Sequence, residues 1–250
     1  MNFQKRKLAI LRKLEEAGEA DIKGLASDMK VADITVRRDL NLLAADGLLY
    51  RTHGGAMKVD PFEPPYPFAN KAAMNAEAKE AIARRAAAEV VDGDILLMDC
   101  GSTVFRVCPF IKNKKIRVVT NSLPVVSALQ GSRVEVNVIG GEFDAERQAI
   151  HGKMAEYHIK KYRATKAFLG ADGISGAGLF ANSEKEATLT LAMAGQSGAT
   201  YLLCDAAKIG KETYLHFADL GVIDTLITDA PAAACRAIRK AGIRVMHVKA

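Results

Sequence analysis

Apolar residues recur every three to four positions through the first forty-five residues, and further on they gather into short unbroken runs, so the chain predicts two differently built parts. Residues 5–17 read as an amphipathic helix with Leu8, Leu11 and Leu14 on its buried face, stopped by Gly18. A shorter helix is expected over residues 21–29 and a third over 33–45, the latter with an apolar stripe of Ile34, Val36, Leu40 and Leu43. Lys30, Val31 and Ala32 leave room only for a tight turn between them, which is the order of a helix-turn-helix. After Gly47, residues 48–56 alternate apolar and polar positions and end in Gly54 and Gly55 and one alanine, as a two-stranded wing would. Residues 1–58 are therefore expected to form a winged helix-turn-helix domain.

Residues 60–67 hold four of the seven prolines. Each removes an N–H donor and pins φ, so neither a helix nor a central strand runs through them, and residues 59–74 are expected to be a semi-rigid linker. Beyond it, buried strands are expected over residues 95–99, 117–121, 134–140, 167–170, 200–205, 226–229 and 244–248. Helices are expected over 76–91, 123–129, 184–194 and 232–241. That alternation predicts an α/β domain around a mainly parallel sheet, spanning residues 75–250.

Composition narrows the class. The net charge is +6, and residues 1–58 carry eleven Lys/Arg against eight Asp/Glu, so half the excess lies in less than a quarter of the chain. A polyanion is the partner such a domain favours. No stretch of eighteen apolar residues occurs, and the first residues run straight into an amphipathic helix, so the expected location is the cytoplasm, with no membrane partner. Cys100, Cys108, Cys204 and Cys235 lack the paired short spacing of a zinc site and are too sparse for a disulfide framework; all four are read as reduced thiols, and neither a metal nor a cofactor is expected.

On the third helix, Thr35, Arg37, Arg38 and Asn41 fall near the N-terminal half, outside the apolar stripe, where side chains of a recognition helix reach base edges and phosphates of double-stranded DNA. Arg51, His53 and Gly54 on the wing, with Lys5, Arg6 and Lys7 on the first helix, are placed for backbone phosphates. The alternative is that Arg37 and Arg38 form a solvated face with Asp39 balancing one of them. The whole spacing is more specific. Residues 35–40, Thr-Val-Arg-Arg-Asp-Leu, followed by Gly47-Leu48-Leu49 and by Arg51-Thr52-His53-Gly54-Gly55-Ala56, resemble the signature of DeoR-type regulators. The resemblance implies Thr35, Arg37 and Arg38 at the operator and residues 51–55 in the wing. The chain departs from the pattern at Ala32, where these regulators usually have a capping Ser, which leaves Asp33 to cap.

In the second domain three turns follow expected strands, where open parallel sheets collect ligands. The first is Asp99-Cys100-Gly101-Ser102-Thr103, opening a helix at about Val104, with the glycine, hydroxyls and helix start that suit phosphate. The second is Thr120-Asn121-Ser122 and the third Gly140-Gly141. Further on, Asp172 and Glu186 are candidates for sugar hydroxyls and Lys208 for a phosphate or carboxylate; against this, Glu186 also suits a helix start and Lys208 a surface charge. Together with Gly170, Gly173 and Asp205, these residues resemble the DeoR-type C-terminal sensor, similar in fold to ribose-5-phosphate isomerase, which implies a phosphorylated sugar as effector. Ser102 stands where Thr is frequent, and Thr190-Leu191 where a basic residue is common. The function expected is that of a transcriptional regulator, a repressor, of a sugar catabolic operon, acting as a homodimer or homotetramer. Two rival functions are less consistent with the chain. An isomerase would use Asp172 or Glu186 as base, but Gly173 stands where such enzymes tend to carry a second acid, and the first domain would be idle, so no enzyme is expected. A protein-binding winged helix would not need Arg37, Arg38 and a basic wing.

Overall fold

A computed structural model describes residues 3–45, 48–52, 54–58, 71–72 and 74–249, and the chain divides into two compact units, Met1–Met74 and Asn75–Ala250. Gly47, His53 and residues 59–70 and 73 of the expected linker lie outside the described residues.

The first unit runs α1 (Phe3–Ala17), β1 (Glu19–Asp21), α2 (Ile22–Met29), α3 (Asp33–Ala45), β2 (Leu49–Arg51) and β3 (Gly55–Lys58). Asp21 caps α2 by accepting the Gly24 N–H at 2.9 Å. The helix ends where Lys30 adopts a left-handed conformation and returns its N–H to the Ser27 carbonyl, and the Val31 N–H then closes on the Ala26 carbonyl. This is the tight turn into α3. The core joins Ile10, Leu14, Ile22, Leu25, Val36, Leu40, Leu43 and Leu49.

Four expectations change here. On α1 the buried residues are Ile10 and Leu14, while Leu8 is 69% exposed and Leu11 half-buried, because the stripe that faces α2 and α3 is phased on Ile10. On α3 the stripe is Val36, Leu40 and Leu43, and Ile34, 72% exposed, lies on the opposite side with the basic residues. Asp33 stands inside the first turn, and the carbonyl of Ala32 accepts the Thr35 and Val36 N–H groups; Asp33 therefore complements the helix dipole and does not occupy the cap position. The wing also gains a strand, since β1 pairs with β3 in the order β1-β3-β2. Gly55 permits this: a Cβ there would meet the Ala20 carbonyl oxygen at 2.0 Å.

The second unit contains seven parallel strands in the order β15-β14-β12-β9-β4-β5-β6: β4 (Ile95–Met98), β5 (Arg117–Thr120), β6 (Glu135–Val138), β9 (Lys166–Leu169), β12 (Thr200–Leu203), β14 (Thr225–Thr228) and β15 (Arg244–His247). Each expected strand is one of these seven. Alternate residues face opposite layers. Leu96, Met98, Val118, Phe168 and Leu203 pack with α4 (Ala76–Ala87), α5 (Ser102–Phe105), α6 (Cys108–Ile111) and α7 (Leu123–Leu129) on one side. Leu97, Val119, Leu169 and Leu202 pack with α8 (Lys153–Ile159), α9 (Glu184–Ala194) and α10 (Arg236–Lys240) on the other. Burial on both faces is why these strands read as continuous apolar runs. Two antiparallel additions were not expected: the hairpin β7 (Glu142–Asp144) with β8 (Ala149–His151), and a three-stranded sheet of β10 (Gly173–Ser175), β11 (Gly178–Ala181) and β13 (Leu215–Ala218). At the N-terminal edge of the main sheet Asp94 binds Lys166 at 2.6 Å and Thr165 at 2.8 Å, tying β4 to β9.

Strand order reverses between β4 and β9. The chain steps outward from β4 through β5 to β6 and, on the other side, from β9 through β12 and β14 to β15. A crevice outside the carboxyl ends of the strands at such a reversal is where open α/β sheets take ligands.

Candidate functional sites

In the first unit, Ile34, Arg37, Arg38 and Asn41 are all exposed and spaced i, i+3, i+4, i+7, so they share one face of α3. Thr35 is half-buried at the rim of that face. Arg51 on β2 donates from Nε to Asn41 Oδ1 at 3.1 Å and from its guanidinium to the Gly55 carbonyl, which fixes the wing against the helix. Burial lowers the Arg51 pKa, and the charge of Arg37 adds to the effect, so two cations face the same space. Gly54 is exposed at the tip, with its carbonyl held by the Ile22 N–H. Arg6 is not a spare cation for phosphate: it pairs two-pronged with Asp39, Nε–Oδ2 at 2.5 Å and Nη2–Oδ1 at 3.0 Å. Asp39 is buried, so it neutralises Arg6 in the interior and not Arg37 or Arg38. Lys5 remains on the surface and Lys7 is half-buried.

In the second unit, Asp99 sits at the strand reversal. Its Oδ1 accepts the Gly101 N–H at 2.7 Å and its Oδ2 the Gly170 N–H at 2.6 Å, so one carboxylate joins the turns after β4 and β9. Burial lifts its pKa to about 6 despite those two donors. A Cβ on Gly101 would meet Asp99 Oδ1 at 2.8 Å, and Gly101 and Gly170 lie back to back. Asp99 is thus the organiser of the turn. Ser102 and Thr103 open α5, and Ser102 Oγ accepts from Lys79 Nζ at 3.1 Å. Lys79 is 5% exposed on the face of α4 that carries Ile82, Ala83 and Ala86.

The second turn behaves differently from expectation. Thr120 Oγ1 donates to the Met98 carbonyl at 2.7 Å and accepts the Ser122 N–H at 3.0 Å, while Ser122 Oγ accepts the Val125 N–H and caps α7. Both hydroxyls are buried in the service of the turn. Asn121 alone turns towards the crevice. Its Nδ2 donates to the Ile150 carbonyl at 3.1 Å, and its buried Oδ1 has no hydrogen-bond partner among the described residues. With Asp99, Cys100, His151, Glu186, Leu189, Thr190 and Met193 it lines a small cavity. Gly140 and Gly141 line a separate cleft with Glu142, Lys153, Met154, Tyr157 and His158, so the third turn is not brought to the first two.

Asp172 accepts the Asn182 N–H at 2.9 Å and lies 3.8 Å from Lys208 Nζ. Glu186 pairs with Arg147 at 2.7 Å. Asp205 accepts from Ala207 N–H at 3.0 Å and from Asn75 Nδ2 at 3.3 Å, tying the start of α4 to the turn after β12. Burial holds the His151 imidazole below its ordinary pKa and pushes the Cys204 thiol up to about 12, so the first is neutral and the second inert. Sequence reasoning missed Lys79, Arg147, Asn75 and His151. For Lys79 the signal was legible: a lysine three and four residues before Ile82 and Ala83 stands in the buried stripe of its helix.

Residues 6–62 match the DeoR-like helix-turn-helix domain and residues 74–230 the DeoR C-terminal sensor domain. The chain is 34% identical to a lactose phosphotransferase system repressor of Lactococcus lactis, over 92% of each protein. It is 32% identical to an L-fucose operon activator of Haemophilus influenzae, over 88% of this chain and 89% of that one, and 30% identical to the regulator GlpR of Haloferax volcanii over 96% of each. Among solved structures, a ribose-5-phosphate isomerase of Methanocaldococcus jannaschii is similar over 54% of each chain at 16% identity, with a TM-score of 0.40. The two domain matches and relatives at 30–34% identity over most of both chains place the chain in the DeoR family: it is a DNA-binding transcriptional regulator and not an enzyme.

Proposed function

We propose that this regulator controls a sugar catabolic operon, as a repressor, and that a phosphorylated sugar bound over the reversal between β4 and β9 changes its affinity for operator DNA. The observation that carries the effector reading is Lys79: a buried ammonium 3.1 Å from Ser102 Oγ, at a Gly-Ser-Thr turn on the carboxyl end of β4. A buried cation beside hydroxyls and a glycine backbone is chemistry for an anion. Lys208 and Asp172, close together on the neighbouring strand ends, give a second cation and an acceptor for sugar hydroxyls. Arg147 and Glu186 form a further charged pair at the same end of the sheet. Relatives named for lactose and fucose systems support a sugar as the signal.

The DNA end of the reading assigns Ile34, Arg37, Arg38 and Asn41 to the major groove and Arg51 with Gly54 to the adjoining backbone. A homodimer or homotetramer is proposed, because one small winged helix buries too little surface for specific binding by itself. The test is a titration of sugars and their phosphates against the protein on operator DNA, in wild type and in Lys79→Gln. The reading requires that a phosphorylated sugar shifts operator affinity, and that the variant still binds operator while losing the response. A variant that responds normally removes Lys79 from the site.

A further inference from the structure

We propose that Cys100, His151 and Glu186 form a binding site for one zinc-class divalent ion. The sulfur of Cys100, a ring nitrogen of His151 and a carboxylate oxygen of Glu186 all lie within 4.8 Å of one another. The second observation is His151 itself: it is 1% exposed, lines the small cavity, and neither ring nitrogen has a hydrogen-bond partner among the described residues. A buried imidazole left unsatisfied on both sides asks for a water or an ion. The cavity measures about 10 Å³, room for one atom-sized guest and not for a sugar. Thiolate, imidazole and carboxylate together make a donor set that suits zinc better than magnesium or calcium, which prefer oxygen alone.

The surroundings fit coordination. Glu186 is already held by Arg147 at 2.7 Å, the kind of outer hydrogen bond that orients a ligating carboxylate. Asn121 Oδ1, buried and unpartnered on the same cavity, offers a further oxygen for the fourth position. Binding releases the Cys100 thiol proton to solvent and leaves a thiolate on the ion, with His151 neutral. Such an ion would pin the turn after β4 to the end of β8 and to the first turn of α9. The spacing of cysteines along the chain carries no sign of it, because the three ligands come from three separate elements. The site shares Glu186 and the turn after β4 with the proposed effector region, and its test uses neither sugar nor DNA, so its failure is distinguishable from a failure of that reading.

The test uses the full chain, reduced and stripped with a chelator, and titrated with cobalt(II). We expect one equivalent to bind with a thiolate-to-cobalt charge-transfer band, and zinc to displace it. Cys100→Ser should abolish the band, Cys108→Ala should keep it, and His151→Ala should weaken binding by more than the roughly 10–100-fold that loss of an outer-shell partner costs. Absence of the band in the wild type, its survival in Cys100→Ser, or unchanged affinity in His151→Ala overturns the site. Should Cys100→Ser fail to fold, alkylation of the wild type read by mass spectrometry decides: zinc protects Cys100 if the site exists, and equal labelling with and without zinc refutes it.

Discussion

The guanidinium of Arg51, on the wing, donates to the side-chain carbonyl of Asn41, on the recognition helix, at 3.1 Å. This hydrogen bond, with Leu49 packed in the core beside Leu40 and Leu43, ties together the two elements that would grip the duplex. Arg37 stands close enough to depress the Arg51 pKa further, so the pair repel each other until an anion sits between them. Arg37→Ala and Arg38→Ala should leave the fold intact, since both side chains are exposed, and weaken operator binding. Removing an arginine that reads a base costs about 1–3 kcal/mol and relaxes sequence preference, whereas removing one that pairs with a phosphate mainly flattens the dependence on salt. Binding measured at two salt concentrations separates the two, and unchanged affinity in both variants would remove this face from the reading.

Arg6→Ala should behave in the opposite way. The residue lies on the first helix beside Lys5 and Lys7, but its charge is committed to Asp39. Removing it strands a buried carboxylate, so the first unit should melt at a lower temperature, while Arg6→Ala,Asp39→Leu should recover much of the loss. Thermal unfolding of the two variants checks this; a single variant as stable as wild type would show that the pair is worth nothing.

The second unit should lose stability in acid through Asp94. Burial by itself would raise this carboxyl, but Lys166, the Val91 N–H and Thr165 together hold it below the usual carboxylate range. A group whose folded pKa is depressed contributes its full stability above the unfolded value, about 3.9, and loses it as pH falls through the lower folded value. Asp94→Asn should cost roughly 3 kcal/mol near neutral pH, because Lys166 is then left without its partner, and the gap from wild type should close below about pH 4. Urea unfolding at several pH values measures it. A gap that widens in acid would contradict the sign.

How much of this was legible in the chain follows from where burial is complete. The seven central strands were readable because both faces are covered, leaving runs such as Ile95 to Met98 without a polar residue. The hairpin of β7 and β8 was not, since Glu142, Asp144 and His151 interrupt any apolar run and Ile150 of β8 is held by the distant Asn121. Ile34 is apolar and so invites an inward placement on α3, whereas the helical phase of Val36, Leu40 and Leu43 turns it outward. Among the site candidates, residue type marked the turn at Asp99, but it could not say that Thr120 and Ser122 spend their hydroxyls on the turn itself.

The exposed position of Ile34 carries its own expectation. An aliphatic side chain on the same face as Arg37 and Asn41 is suited to the methyl group of thymine. Ile34→Ala should lower affinity for operators with thymine at one position and be nearly silent when that base is replaced by uracil, which lacks the methyl. Equal losses on both duplexes would assign Ile34 another role. Footprints should in addition show two or more half-sites with centres about 10–10.5 bp, or a multiple, apart.

The strongest demand falls on the effector. If Lys79 and the turn from Gly101 to Thr103 hold a phosphate, then a phosphorylated sugar should alter operator affinity and its unphosphorylated parent should not, since the parent offers nothing to the buried ammonium. The change must come from unequal affinity of the ligand for two conformations of the protein, and couplings of this kind are typically about 1–3 kcal/mol, roughly a five- to 150-fold shift in operator affinity. Lys79→Gln keeps a polar group near Ser102 but removes the charge, so the protein should fold, bind operator and ignore the sugar phosphate. Asp99→Asn should act by another route: it retains one acceptor for the two N–H groups of Gly101 and Gly170, loosening the joint between β4 and β9. Its response should be weakened for every phosphorylated ligand alike, whereas Lys208→Ala, altering a residue beside Asp172, should change the preference among sugars. Fluorescence anisotropy of labelled operator, with each variant titrated by paired sugars and sugar phosphates, reads all three at once. A parent sugar as potent as its phosphate, or a normal response in Lys79→Gln, would move the effector site away from the strand reversal.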